Sequence, residues 1–253
     1  MRTSVLRPNP FPGLRPFATE EGHVFFGREQ EVTELLRRLD RHRVVLLAGQ
    51  SGSGRASLVR AGVVPVVEAL DWQTTYLRPG IHPIQNMVNA LCFADPLLDP
   101  TGVERQLHAS SFELNTAVRG DAPRLFIVDQ LEEIFHFQKD SMRTDEIAEF
   151  LNLLSNAATG HGSRTYVLYL IRSDFLGECA RWLRLTEAMN DGGVYLLPRL
   201  SRDGLRDVIT GPLRTVGAVA TPRLVQRIGR SPALCTLPEC RLSRPLRNGP
   251  GCD

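Results

Sequence analysis

The sequence predicts an α/β fold in which a parallel sheet carries helices on both faces, followed by an incomplete small helical unit. Three observations predict it. Val44–Ala48, Leu125–Val128 and Tyr166–Ile171 are continuous apolar runs, which suits strands buried on both faces better than strands with one wet face. Helical patterns precede or follow each run, and apolar strands separated by helices argue for a parallel sheet covered on two sides. The third observation is the Gly/Ser loop that follows the first run and leads directly into a helical stretch.

Taken in order, residues 1–22 carry Pro8, Pro10, Pro12, Gly13 and Pro16, which disfavour helix and predict an extended segment laid along the surface. Residues 23–200 form the main domain. It opens with Glu29–Leu39, where Val32, Leu35, Leu36 and Leu39 fall at i, i+3, i+4 and i+7, the stripe of an amphipathic helix. Strand Val44–Ala48 follows, then the loop, a helix over about Ala56–Gly62, and a further candidate strand at Thr74–Leu77. Residues 201–228 change to Arg-rich helical segments punctuated by Gly211, Pro212 and Gly217, the expected start of a separate lid. Residues 229–253 hold three of the five cysteines and four prolines without a sustained period, so an irregular tail is expected.

Composition narrows the function classes. With 42% apolar residues the chain can bury a sizeable core, and its net charge of +2 is spread without a basic block, so neither nucleic acid nor a membrane surface is an expected partner. Of the 30 Lys and Arg residues only Lys139 is lysine, a bias on which no chemistry is built. No secretory leader and no bilayer-spanning run is evident, and a cytoplasmic protein is expected. Cys92, Cys179, Cys235, Cys240 and Cys252 lack metal-ligand spacing and read as reduced thiols.

Gly49-Gln50-Ser51-Gly52-Ser53-Gly54-Arg55-Ala56-Ser57 has the Gly-x4-Gly spacing of a phosphate-binding Walker A loop. Glycines suit such a loop because its backbone N–H groups must turn inward around an anion, and the following helix aims its positive end at the same place. The two residues that normally follow are Lys, for the β- and γ-phosphates, and Ser or Thr, for magnesium. Here they are Arg55 and Ala56. Arginine keeps the charge in a larger planar fork, and alanine offers no oxygen. Ser57 comes one position late, roughly 100° round the helix. Seen alone, the stretch is equally a Gly/Ser-rich turn.

Two further clusters bear on the same chemistry. Leu125–Val128 runs into Asp129-Gln130-Leu131-Glu132-Glu133, where Asp129 suits a magnesium ligand and a following glutamate suits the orientation of water. Alone, this is also a strand entering a helix with acids at its favourable end. Arg172, closing the third strand, suits a γ-phosphate sensor or, equally, a surface pair with Asp174. Phe25 and Phe26 read as core, and Trp72 and Trp182 as packing residues.

These residues together resemble the bacterial STAND NTPases, specifically the novel STAND subgroup. The opening Asn9–Phe17 is similar to that family's first segment, and Phe25-Phe26-Gly27-Arg28-Glu29 to its FFGRE element near the adenine. Gly49–Val59 resembles its phosphate loop, Arg78-Pro79-Gly80 its RPG turn, Val128–Glu133 its VDQ-x-EE element and Arg172–Gly177 its R-x-DFLG sensor. Tyr195–Leu200 and Thr210-Gly211-Pro212 resemble later stretches, so the likeness covers roughly residues 8–228.

The resemblance implies a P-loop NTPase sheet and an ATP- or ADP-binding signal switch, coupled in longer relatives to sensor and effector regions or to self-association. It carries nucleotide contacts to Gly27, Arg28, Gly49, Ser51, Gly52, Ser53, Gly54, Arg55, Ala56 and Ser57, a weakened magnesium site to Asp129, and catalytic positions to Asp129, Glu132, Glu133 and Arg172. Of the two glutamates, Glu133 is the one expected to polarise water. Because Arg55 and Ala56 fall on the altered positions, weak or absent hydrolysis is expected, with a competent ATPase using Arg55 and a non-binding remnant as alternatives. The change in Cys and Pro usage near residue 229 suggests that a frameshift or early end replaces the family's continuation.

Overall fold

The computed structural model describes residues 9–109, 114–117, 121–137 and 141–221, with positions 223 and 225. The tail predicted over 229–253 lies outside the described residues. Five strands form one sheet: β1 (Val44–Gly49), β2 (Gln73–Leu77), β3 (Arg124–Val128), β4 (Thr165–Arg172) and β5 (Val194–Leu196). All pair in parallel in the order β2-β3-β4-β1-β5. The strand that feeds the Gly/Ser loop is therefore interior, and β4 separates it from the strand that feeds the acidic cluster.

The helices are α1 (Glu29–His42), α2 (Arg55–Ser57), α3 (Val64–Glu68), α4 (Pro83–Ala94), α5 (Pro100–Ala109), α6 (Leu114–Ala117), α7 (Ser141–Thr159), α8 (Leu183–Asn190) and α9 (Arg202–Thr215). A π-helical stretch, Leu58–Val63, joins α2 to α3, so one helical run leaves the loop. Alternation along the apolar runs builds a core on each face of the sheet. Leu46, Ala48, Phe126, Val128, Tyr169 and Ile171 face Met87 and Leu91 of α4 and Phe150 and Leu154 of α7. Val45, Leu47, Leu125, Ile127, Leu168 and Leu170 face Leu35 and Leu39 of α1 together with Leu58, Val63 and Val67. Burying one such aliphatic side chain contributes about 1.5–3 kcal/mol, so two-sided burial keeps β1, β3 and β4 in the interior of the sheet.

On α1 the predicted stripe is the inward face, with Leu35 and Leu39 fully buried. Its wet face carries Glu34, 2.9 Å from Arg37 Nε and 2.6 Å from Arg38 Nε. Those guanidinium groups hold the Glu34 carboxyl down at about 2. Trp72 and Trp182 are packing residues as expected: Trp72 stacks on Tyr166 with centroids 4.4 Å apart, and Trp182 is buried.

Three local expectations change. Thr19–Val24 is a 3-10 turn, and the described segment before it, residues 9–18, itself turns at Gly13–Leu14 and ends at Ala18, whose backbone N–H donates to Glu21 Oε2 at 2.7 Å. β5 is an additional strand, three residues long and paired only with β1, too short to show a period in the sequence. Gly211 and Pro212 do not punctuate the chain, because both lie inside α9. Pro212 forfeits one helical hydrogen bond, yet burial of Ile209, Pro212 and Leu213 holds the helix continuous. Ser201 caps its start, accepting the Gly204 N–H at 3.0 Å.

Helix α9 docks on residues 26–27 through two of its own glycines. A Cβ on Gly211 would lie 2.4 Å from the Phe26 ring, and one on Gly27 would lie 2.4 Å from the Gly204 carbonyl oxygen. Gly27 also has φ +79°, so Gly27→Ala combines a backbone clash with left-handed strain. We expect Gly27→Ala to cost about 1–3 kcal/mol and to lower Tm by roughly 2–4 °C per kcal/mol. Gly162→Ala, with φ +71° and open space around it, carries only the strain and should shift Tm less. Equal shifts in thermal melts of the two variants would count against close docking of α9.

Candidate functional site

Parallel pairing brings the carboxyl ends of the strands to one edge of the sheet, the edge where open α/β sheets bind ligands. Gly49 is level with Arg172, and Leu77 with Val128, so the Gly/Ser loop, Arg78, Asp129 and Arg172 all leave the sheet on that side. They border a cavity of about 640 Å³. Its wall also includes residues 11–17, Phe25, Phe26 and Arg28, and Val208, Ile209, Pro212 and Leu213 of α9.

The loop is shaped by its glycines. Gly52 and Gly54 have φ +72° and +87°. Gly49 leaves room for the Arg55 stem, whose Cδ and Cγ would lie 3.3 and 3.4 Å from a Cβ there. The Arg55 side chain therefore folds back under the loop. Its Nη1 and the Ser53 Oγ are buried, with no hydrogen-bond partner among the described residues. A buried donor left unsatisfied costs about 1–3 kcal/mol, so these atoms fit an anionic ligand that would satisfy them. Burial pulls the Arg55 guanidinium below its ordinary range, opposed by the nearby Glu132 and Asp129 carboxylates.

Of the residues singled out in the sequence, Ser51 to Ser57, Arg28, Asp129, Glu132 and Arg172 border this cavity. The Ser57 hydroxyl oxygen accepts the Phe17 N–H at 3.2 Å, which ties the helix start to the N-terminal strap. Buried Asp129 accepts a short hydrogen bond from the Tyr76 hydroxyl and has Arg78 Nη2 at 3.7 Å. Burial, then the Asp129 charge, pushes the Tyr76 hydroxyl well above the ordinary tyrosine range. Arg60 lies over the Tyr76 ring, 4.3 Å from its centroid.

The two glutamates diverge. Glu132 is buried on the cavity wall and accepts the Arg172 N–H at 3.2 Å. Glu133 does not border the cavity; its carboxylate accepts the Gly80 N–H at 3.1 Å. The cause is local: Gln130 is in the left-handed region at φ +58°, and Leu131–Phe137 is a 3-10 turn, which sends consecutive side chains apart by about 120°. Arg172 is clasped by Asp174, at 3.2 Å from Nε and 2.6 Å from Nη2, and its guanidinium stands 5.2 Å from the Phe175 ring centroid.

Arg28 is a buried clamp. It pairs with Glu31 at 2.6 Å and donates to the carbonyls of Pro198 at 2.9 Å and Ser53 at 3.5 Å, binding α1, the loop and the chain after β5 together. Gly27 and Gly49 act by lacking a Cβ, behind the cavity and not on its surface. Two contributors had no assigned role in the sequence: Arg78, whose only signal was the Arg-Pro-Gly turn, and the strap, whose Phe17 meets Phe25 edge-on at 5.5 Å.

The sequence matches the family described as Novel STAND NTPase 1 over residues 10–236. This chain belongs to that family. No curated protein matches it. Among solved structures it is similar to the Walker-type ATPase PABY2304 of Pyrococcus abyssi, at 16% identity and TM-score 0.53, over 85% of this chain and 65% of that one. It is also similar to the Aeropyrum pernix ORC2 protein in its ADPNP–ADP complexes, at 15% identity and TM-score 0.52, over 80% of this chain and 56% of that one. Domain III of the Thermotoga maritima replication initiation protein DnaA is a third, at 14% identity and TM-score 0.50, over 86% and 82%. At such identities the likeness shows the fold alone, that of P-loop ATPases, and the chain spans little more than half the length of the ORC2 protein. This novel STAND NTPase is thus a nucleotide-binding, ATPase-like domain. No helix among the described residues is long and apolar enough to cross a membrane.

The strap is latched by a fork between Arg15 and Glu21, with Nη2–Oε1 at 2.6 Å and Nη1–Oε2 at 2.7 Å. Arg15, followed by the Ala18 N–H, holds the Glu21 carboxyl down at about 2 from an ordinary 4.5. Because the folded value is the lower one, the latch contributes fully above the ordinary glutamate range and is lost as pH falls through about 2. Carboxyl-detected NMR should give Glu21 a titration midpoint near 2, rising towards 4.5 in Arg15→Ala. A midpoint near 4.5 in the unaltered chain would remove the latch.

Proposed function

We propose that this chain is an ATP- and ADP-binding switch domain of a cytoplasmic signalling protein, with weak or absent hydrolysis. Family membership supports nucleotide binding. The observation that carries the finer reading is the loop itself, which retains buried donors at Ser53 and Arg55 without partners among the described residues but has no side-chain oxygen at Ala56. In this reading residues 23–200 are the nucleotide-binding domain and α9 begins a lid over it.

The nucleotide fits. The positive-φ glycines let the loop backbone turn around phosphates, Ser53 Oγ and Arg55 Nη1 supply donors, and the start of the helical run adds its positive end. Magnesium fits poorly by direct coordination. Ala56 has no side-chain ligand atom, the Ser57 hydroxyl oxygen already accepts the Phe17 N–H, and Asp129 Oδ2, one of its two oxygens, already accepts the Tyr76 hydroxyl with Arg78 Nη2 at 3.7 Å, so only a weakened site is left. Glu132, facing the cavity, is the carboxylate suited to orient water, whereas Glu133 is committed to Gly80. Arg172, on the cavity wall, pairs with Asp174 through Nε and Nη2, and a γ-phosphate would compete with that pair, which suits a sensor of nucleotide state.

Losing one preorganised stabilising group typically costs 10²–10³-fold in turnover, about 2.7–4 kcal/mol, and two positions differ here. Binding loses less, since the backbone cradle is intact. A thermal-shift titration of the chain with ATP and ADP should therefore saturate, raising Tm by about 5–10 °C at a hundredfold excess over Kd. A folded sample with no shift would instead favour a non-binding remnant. Arg55→Lys combined with Ala56→Ser should raise steady-state phosphate release at least ~10-fold. Its failure to do so, with binding retained, would mean that the altered loop is not what limits turnover.

A further inference from the structure

The charges around the cavity carry one step more, which rests on the nucleotide-binding reading above. Phosphates entering here meet two buried carboxylates, Asp129 and Glu132. A divalent cation ordinarily stands between such carboxylates and the phosphate oxygens. In this chain a cation of another kind is already there. The Arg78 guanidinium is 3.7 Å from Asp129 Oδ2, on the cavity wall at the end of β2, and the same oxygen receives the Tyr76 hydroxyl. Half of the Arg78 side chain remains exposed, at 52%, so the guanidinium has donors left to offer a ligand. Arg55, on the same cavity, brings a buried Nη1 with no partner among the described residues.

We propose that this site binds its nucleotide without a divalent cation, the guanidinium groups of Arg55 and Arg78 supplying the counter-charge that magnesium supplies elsewhere. Arginine is chemically suited to this. Its planar fork engages phosphate oxygens in pairs and cannot lose its proton at working pH. Arg78 is then a positioning and charge-neutralising residue: it pairs Asp129 and so removes the repulsion that an unmetallated aspartate would exert on the ligand. The two side chains come from different strand ends, one after β1 and one after β2, and both line the cavity that Asp129 borders.

Isothermal titration of the whole chain with ADP, in excess magnesium and in excess EDTA, tests this directly. The expected Kd values agree within about twofold. Binding at least ~10-fold tighter with magnesium would overturn the inference while leaving the switch reading intact. No binding under either condition would overturn both. Arg78→Ala should weaken binding in EDTA by about tenfold and Arg78→Lys by less, with ligand-free melts of each variant confirming that it is folded. Unaltered affinity in a folded Arg78→Ala variant would overturn the role assigned to Arg78.

Discussion

The arrangement depends on one constraint, the burial of β1 on both faces between β4 and β5. A strand so placed must be apolar throughout, must run parallel with its neighbours, and must end abruptly where polar chemistry begins. The end is Gly49, and everything that borders the cavity is set out from it. The loop follows directly, Arg172 stands level with it on β4, and Asp129 arrives from β3 one strand further away. Were β1 at an edge, the carboxylates and the loop would not share a floor.

Around that floor the chain adds two covers that are not part of the sheet. The strap is fastened by the Arg15–Glu21 fork and by the Phe17 N–H on Ser57, and α9 is seated on Phe26 and Gly27 through its own Gly211 and Gly204. Both covers line the same cavity as the phosphate loop. A switch domain needs a shared surface of this kind, since a ligand shifts an equilibrium only through contacts that differ between the states.

Much of the fold was legible in the sequence because two-sided burial leaves an unmistakable mark. Val44–Ala48, Leu125–Val128 and Tyr166–Ile171 are strands in the structure, and the stripe of α1 packs inward. β5 was not legible, because three residues on an edge carry no period. Nor was the continuity of α9 through Gly211-Pro212, since local propensity reads those residues as a break and only the packing of Phe26 explains the glycine. For the site, residue types and spacing gave the loop and the acidic cluster. They could not give the direction of each side chain. Glu133 turns away because of a left-handed Gln130 and a tight 3-10 turn, and Ser57 is engaged by a residue forty positions earlier. Arg78 was quoted without a role, because its importance comes from being 3.7 Å from Asp129 and not from any motif.

The central claim is that the loop holds nucleotide but turns it over weakly or not at all. The most direct test is single-turnover phosphate release from radiolabelled ATP, with the chain in excess and its occupancy measured in the same sample. The account predicts bound ATP recovered largely intact, with release far below the ordinary enzyme range. Bound ATP converted to ADP at a rate within the ordinary enzyme range, about 1 s⁻¹ or more, would contradict it and make Arg55 a competent replacement for the usual lysine.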